Sequence, residues 1–596
     1  MESSDVQRGR GRSPFDLIMN QIRRKRTTSD RKSTSGRFLS RQAESGGLPE
    51  DRETEEERGG AGVVPGPADL AESVCDMGWG RVCVFVKRLG KRADSRTLSL
   101  AHCDLTATDV LELATLLPSL SLLEEMDLSW NELIGGCLRS LTSHLQNVGG
   151  LRTLRLSCCR LTADDITALG EALKCVPVLE VLDLSWNAGI GGSTLQGIVG
   201  KLHPTLRELY LVACQLTETD ATILGGIVSV LPRLCVLDAS CNPLLAHTQT
   251  EAEDGSMSET EPGKGGVWGL GGLVPSLSHT PSLTTLRLHD CGLTIQSLGL
   301  LGGSFHCLRS LCQLDLSCNK GVAGGLSLLS PHLALLSHLG GLDLHLCCLT
   351  HTDLQALIQV LPSLTELTEL DLSSNKEVGG VVSDLVSALL LSQIKLLPLN
   401  GCSLNQESLS ALALALPYLR CIDVSWSKMV GGRLALLLEA LQPSVTQELR
   451  LSSCDLTTDD LLHLAVVCKR GVLSSLRVLD LSYNGGVGEE GWCGLLGEGG
   501  LGSLEELDLS LRPLTSKPSL LTSNPSPLTW LPTLLSAFPH LPALTRLSLQ
   551  RWTLTAQERE QVNHALRKRK VLLELDPVLF ASSANQEGLE EERYEE

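Results

Sequence analysis

LDLSWN at residues 182–187, with LRLSCC at 154–159 before it and LYLVAC at 209–214 after it, is the stretch that decides the fold. The phrase is Leu-x-Leu, closed three residues later by Asn in one version and by Cys in the next, and it recurs sixteen times along the chain. The closing residues are Cys103, Asn131, Cys159, Asn187, Cys214, Asn242, Cys291, Asn319, Cys347, Asn375 and Cys402, followed by Ser427, Cys454, Asn484, Arg512 and Trp552. The first eleven stand 27 or 28 residues apart, except for an interval of 49 between Asn242 and Cys291. A fixed period of this length marks a solenoid, in which each unit buries its apolar side only by stacking on its neighbours.

The two leucines of each phrase share one face of a short strand, and the residue between them points the other way. Consecutive units run in the same direction, so their strands form a parallel sheet with about 4.8 Å per strand. The return path after the Cys units reads as helix, in LTATDVLELATLLPSL (105–120), LTADDITALGEALKCVPVL (161–179) and LTTDDLLHLAVVCKRG (456–471), where apolar residues recur at three and four. Five of these paths open on Thr with Asp three residues later: Thr106/Asp109, Thr162/Asp165, Thr217/Asp220, Thr350/Asp353 and Thr457/Asp460. That spacing is a capping box. The Asn units instead carry paired glycines (Gly135-Gly136, Gly191-Gly192, Gly379-Gly380, Gly431-Gly432), which points to positive φ or to close backbone approach. Where strand turns to loop, inward-facing amides need partners, and a buried Asn offers an acceptor and two donors to the neighbouring turn. The cysteines of the other version read as core.

This alternation of two repeat types, with Cys or Asn closing each, resembles the ribonuclease-inhibitor-like class of leucine-rich repeat proteins over roughly residues 93–575. The resemblance implies an α/β horseshoe solenoid of about sixteen alternating repeats, with a parallel sheet on the concave face and helices on the convex face. Ser427, Arg512 and Trp552 stand where the pattern has Asn, Asn and Cys, which marks the last units as irregular or as a cap. The class implies protein–protein interaction and includes a ribonuclease inhibitor and a Ran GTPase activator. The leading expectation is therefore a non-enzymatic scaffold or adaptor that binds a protein on the concave face. The alternative is an inhibitor or regulator of a basic enzyme or small GTPase.

Composition agrees with stacked leucine layers: aromatics make up 3% of 596 residues. The 21 cysteines include no CxxC pair, and MESSDVQRGRGRSPFD at the start lacks the apolar stretch of a signal peptide, so the thiols read as reduced in the cytoplasm, with the nucleus as the alternative. No apolar run is long enough for a transmembrane helix. Net charge is −19; residues 1–50 carry eleven basic and six acidic side chains (+5), leaving 39 − 63 = −24 for the rest. An acidic body argues for a basic protein partner and against nucleic acid on the solenoid. There is no GxxxxGK[ST], GxSxG or HExxH, so neither catalysis nor a cofactor is expected.

The chain divides into a disordered tail at 1–73, basic then acidic; an N-terminal cap at 74–92; the repeat domain at 93–575, with insertions at 243–280 and 511–540; and an acidic tail at 576–596. Within the repeats, AQEREQVNHALRKRKVLLELD (556–576) reads as a closing helix. In the tail, IRRKRTTSDRKSTS (22–35) makes Thr27, Thr28, Ser29, Ser33 and Ser35 candidate phosphorylation sites. With the apolar residues Phe15, Ile18, Met19 and Ile22 just before it, this basic head would suit a nuclear signal or contact with a membrane surface.

On the concave face, the residue between the leucines is Asp in every even unit: Asp127, Asp183, Asp238, Asp315, Asp371, Asp423, Asp480 and Asp508. The next outward residue of each is read as Ser, from Ser129 to Ser510. The odd units place Arg155, Arg287 and Arg450 in the same column, with Tyr210 and Asp343 elsewhere. An invariant column reports the repeat, whereas unequal positions report a partner. The unequal slot before Asn holds Trp130, Trp186, Trp426 and Tyr483, against Cys241, Cys318 and Ser374 in the middle units. These four aromatics form two expected anchor clusters, one towards each end, since Trp and Tyr dominate binding hot spots. HLCCLTH (345–351) superficially suits zinc, but Cys347 is needed by the core and Leu346 breaks the spacing.

Overall fold

The computed structural model describes residues 96–246, 270–497, 499–511, 528–552, 554–567 and 569–576. The tail 1–73 with its candidate phosphorylation sites, the cap at 74–92, the ladder position Arg512 and the acidic tail after Asp576 lie outside the described residues. No helix among the described residues is long and apolar enough to cross a membrane.

The architecture is the α/β leucine-rich repeat solenoid of the horseshoe class. Each strand is three residues long and, except where the sheet divides, pairs in parallel with the next coil, apolar centre against apolar centre: Leu98 with Met126, Leu154 with Leu182, Leu182 with Leu209. The shared leucine column is buried throughout, from Leu98 to Leu547. Each such side chain contributes about 1.5–3 kcal/mol by leaving water. Helices return on the other side. Ala163–Leu173 starts at Thr162, whose hydroxyl accepts the Asp165 N–H while the Asp165 carboxylate accepts the Thr162 N–H.

The same carboxylate also joins two coils. Asp165 accepts the N–H groups of Gly136 and Leu138, at 2.6 and 3.0 Å, from the preceding coil. Asp220, Asp353 and Asp460 repeat the arrangement. The glycine pairs have two distinct causes. A Cβ on Gly191 would lie 2.0 Å from the Gln215 carbonyl oxygen of the next coil, whereas Gly192 has open space but φ +72°. Gly135-Gly136 and Gly431-Gly432 divide the two reasons in the same way, whereas in Gly379-Gly380 only the close approach at Gly379 is present.

The Asn ladder closes the turns. Asn187 Oδ1 accepts the N–H groups of Cys159 and Leu161, and its Nδ2 donates to the carbonyls of Leu156, Leu184 and Ser185. Asn131, Asn242, Asn319, Asn375 and Asn484 repeat the pattern. The intervening thiols donate backwards, as Cys159 does to Leu128 O at 3.3 Å. Burial pushes the thiols of Cys159, Cys214, Cys347, Cys402 and Cys454 up to about 12, so they serve as weak donors and not as nucleophiles. Trp552, irregular in sequence, performs the same job: its indole Nε1 donates to Leu509 O at 2.7 Å. Its ring packs edge-on against Trp492 and Trp530, which are themselves buried.

One coil loses three ties at once. The strands form a ten-stranded and a six-stranded sheet; the coil between them has no strand, and Leu396 forms single bridges to Glu369 and Cys421 beside backbone bonds such as Lys395 N to Thr368 O and Leu399 N to Asp423 O. Pro398 stands in this coil where other coils carry Asp, Arg, Tyr or Ser, and it has no N–H to give a ladder. Ser427 replaces the ladder Asn, and its buried hydroxyl has no hydrogen-bond partner. Ser408 replaces the coil-joining Asp, so one hydroxyl bond to Gly379 O stands in for two carboxylate bonds. We expect Ser427→Asn to stabilise the chain by about 1–2 kcal/mol, because the amide would reach the Cys402 and Leu404 amides and the Leu399 carbonyl. Slower amide exchange at Cys402 and Leu404, with a raised urea midpoint, checks this; unchanged exchange overturns it.

Three expectations are corrected. The Ser column is buried, not outward: Ser129, Ser185, Ser240, Ser317, Ser373, Ser425, Ser482 and Ser510 all lie inside. Strand alternation ends at the Asp, so parity no longer governs the serine two residues on. The closing helix ends at Leu566, and Leu572–Glu574 forms one more strand, paired with Arg546–Ser548. The insertions at 243–280 and 511–540 are narrower than the sequence suggests. Leu245, Leu270, Leu273 and Leu277 belong to the core, as do Trp530, Leu531 and Leu534.

Candidate functional site

The outward side of the sheet carries the candidate residues, and the backbone explains part of the pattern. In every even coil the Asp Oδ1 accepts the N–H of the serine two residues on, at 2.8–3.1 Å. This bond closes the turn leaving the strand, as Asp side chains commonly do. The serine hydroxyl then accepts from the following coil: Ser129 Oγ from Ser157 N, Ser185 Oγ from Val212 N, Ser425 Oγ from Ser452 N. Asp127, Asp183, Asp423 and Asp480 therefore each commit one oxygen to the fold and have a second beside it. In Asp183 that second oxygen already accepts Ser157 Oγ at 2.6 Å.

The odd coils differ among themselves. Arg287 lies 3.5 Å from Asp238, neutralising an acidic neighbour. Arg450 turns back to Glu448 on its own strand at 2.7 Å. Arg155 pairs in register between Asp127 and Asp183. Asp343 breaks the alternation and leaves Asp315, Asp343 and Asp371 in consecutive strands with no arginine among them. Burial pushes the Asp343 carboxyl up to about 7, the His345 N–H bond opposes this, and the charges of Asp315 and Asp371 add to it. Burial also raises Asp423, against the hydrogen bonds from Ser425. Beside Asp343, Gly341 has no side chain, and the Gln313 amide of the neighbouring strand lies over it, where a Cβ would come within 2.0 Å of its Oε1. A shallow cavity of about 230 Å³ opens there, lined among others by Arg287, Asp315, Asp343, Glu369 and Asp371.

The aromatic slot is defined by backbone conformation. Trp130, Trp186, Cys241, Cys318, Ser374, Trp426 and Tyr483 all have φ of +60° to +66°. Left-handed backbone is uncommon for bulky L-residues, and here it turns the side chain onto the rim. Cys and Ser occupy the slot with the same φ, so the turn itself does not call for a ring. Trp426 is 53% exposed, and its ring centroid stands 6.3 Å from that of Tyr483, which joins this pair as expected. At the other end Trp130 stacks on His102 of the preceding coil, at 5.2 Å and 13°. The sequence reading overlooked His102 as a ring partner, although it occupies the equivalent rim position of an odd coil.

The HLCCLTH residues are occupied otherwise: His345 Nδ1 shares a 2.6 Å bond with Ser373 Oγ, and the Cys347 thiol donates to Leu316 O. Among the described residues no group of three or more His, Cys, Asp or Glu is placed to hold a metal ion.

Comparison with known proteins agrees with this construction. The family model described as Leucine Rich repeat matches residues 472–491. Ribonuclease inhibitor of Sus scrofa is 30% identical over 431 residues, covering 70% of this chain and 87% of that protein. Ribonuclease inhibitor of Mus musculus is 29% identical over 404 residues, covering 64% and 82%. The crystal structure of the Rad7 and Elc1 complex in yeast aligns over 95% of this chain and 98% of that one, at 13% identity and a TM-score of 0.39, a likeness too low to argue from.

Proposed function

Since the chain belongs to the ribonuclease-inhibitor-like leucine-rich repeat family, we propose that it is a non-enzymatic protein-binding scaffold that holds its partner on the outward side of the sheet. The observation that carries this reading is Trp426. A half-exposed indole on a left-handed turn, beside Tyr483, serves no need of the repeat, since Cys and Ser fill the same slot elsewhere. Amphipathic rings of this kind form the centre of protein interfaces. The acidic run Asp315–Asp343–Asp371 supports a partner presenting lysine or arginine there, because a cation beside Asp343 would favour its ionised form. Buried, protonated ladder thiols suit a reducing compartment, cytoplasm or nucleus.

The test is capture by the full chain. Trp426→Ala with Tyr483→Ala should weaken retention of bound proteins by about 30-fold or more, as loss of a hot spot does, with circular dichroism unchanged. Retention at wild-type strength overturns the reading. The second reading, inhibition of a basic enzyme, draws on the same acidic run and on the inhibitors of related sequence. A direct assay on a basic ribonuclease separates it from the scaffold.

A further inference from the structure

A second site lies at the edge where the chain enters the strands. There, ion pairs tie some coils to the next, and over the first five coils Arg96, Glu124, Arg152, Glu180 and Arg207 alternate in sign. Arg96 pairs with Glu124 at 2.8 Å, Arg152 with Glu180, and Arg477 with Glu505 through two bonds of 2.8 and 2.9 Å. Continuing that run would put a glutamate opposite Arg207, but Cys235 stands there and opens a stretch of neutral residues, Thr284, Cys312, Gly340 and Thr368, at the same position of the next coils. Glu180, on the other side of Arg207, is taken by Arg152. Arg233, two residues before Cys235, adds a second cation. Both arginines line one cavity of about 460 Å³, together with Cys235, Thr205, Val178, Ser282 and the Arg152–Glu180 pair, whose charges offset each other. Among the described residues no carboxylate lies within ion-pair distance of Arg207 or Arg233.

We propose that this cavity binds a phosphorylated side chain of a partner peptide. Two guanidinium groups present more N–H donors than the two oxygens of a carboxylate can accept. A phosphate monoester has three oxygens and close to two charges, and takes planar forks from both. The Ser282 hydroxyl adds a neutral donor at the cavity wall. The body around the cavity is strongly acidic, so the attraction is local and falls with salt over a Debye length of about 8–10 Å. The site rests on the protein-binding reading only for the kind of ligand. Its residues are separate from Trp426 and Tyr483.

The experiment is a titration of the full chain with the pentapeptide Gly-Gly-phosphoserine-Gly-Gly, with its unphosphorylated twin and with inorganic phosphate. The phosphopeptide should bind more tightly than either. Arg207→Ala with Arg233→Ala should weaken it at least about tenfold, as expected for two charge-assisted bonds. Cys235→Glu, which supplies the missing carboxylate and removes no cation, should do the same. Arg96→Ala, at an equivalent but paired position, should leave binding unchanged. The proposal is overturned if both arginine-site variants bind as wild type, if the unphosphorylated twin binds equally, or if inorganic phosphate binds as tightly, which would make this a site for free phosphate. The Trp426→Ala/Tyr483→Ala chain should titrate like wild type, so the two readings fail separately.

Discussion

Asn187→Ala should destabilise the solenoid by about 3–5 kcal/mol, the upper end for a single substitution. The change removes five hydrogen bonds made by one side chain. It also leaves the amides of Cys159 and Leu161 in the core without an acceptor, and Asn187 is fully buried, so water does not reach them. The cost is local in origin, because each coil touches only its neighbours, but a weakened coil exposes the leucines of both. Hydrogen exchange reads this directly. Amides of residues 156–161 should exchange faster while those of Cys454 and Leu456, held by Asn484, stay protected. Equal protection in both regions would show that the ladder is not what holds the turns.

Gly191→Ala should cost about 3 kcal/mol or more, through overpacking of backbone against backbone. The new methyl would sit 2.0 Å from Gln215 O and 2.6 Å from Gln215 C, and neither atom can rotate away. Relief requires the two coils to separate, which stretches the 3.0 Å bond from Gly191 N to Cys214 O and the strand register beneath it. Gly192→Ala is the control. It meets nothing within 4 Å, but its φ of +72° is unfavourable for an L-residue by about 1 kcal/mol. Urea midpoints of the two variants should rank Gly191→Ala well below Gly192→Ala. The reverse order would mean that the left-handed turn, and not the close approach, explains the glycine pair.

The residues that read correctly from sequence act within one coil or repeat at one phase of it. Leu182 and Leu184 declare their shared face by a spacing of two, Thr162 and Asp165 declare a helix start by a spacing of three, and Asn187 recurs where a turn must close. Failures cluster where the chain leaves regular geometry. Ser185 has the parity of an outward residue, but the strand ends at Asp183 and the turn carries the hydroxyl inside. Trp552 looks like a lost ladder position, yet an indole N–H replaces a thiol as donor to the carbonyl behind it.

Of the candidate residues, the positions were legible in part. The sequence singled out Trp426 and Tyr483 by their departure from Cys and Ser, and the stacking of coils brings their rings to 6.3 Å. It did not show that Trp130 stacks on His102, that Gln313 lies over Gly341 beside Asp343, or that Arg207 lines a cavity without an ion-pair partner.

The sequence by itself determined the repeat, the strand and helix phases, the capping boxes and the identity of the ladder, because hydrophobic period and backbone hydrogen-bond demand are local and recur in every coil. Only the tertiary structure decided which carboxylate oxygens the turns engage, where the sheet divides at Pro398, and which arginines face a cavity without a partner. Those outcomes depend on side chains about 28 residues apart that meet only when one coil is laid on the next.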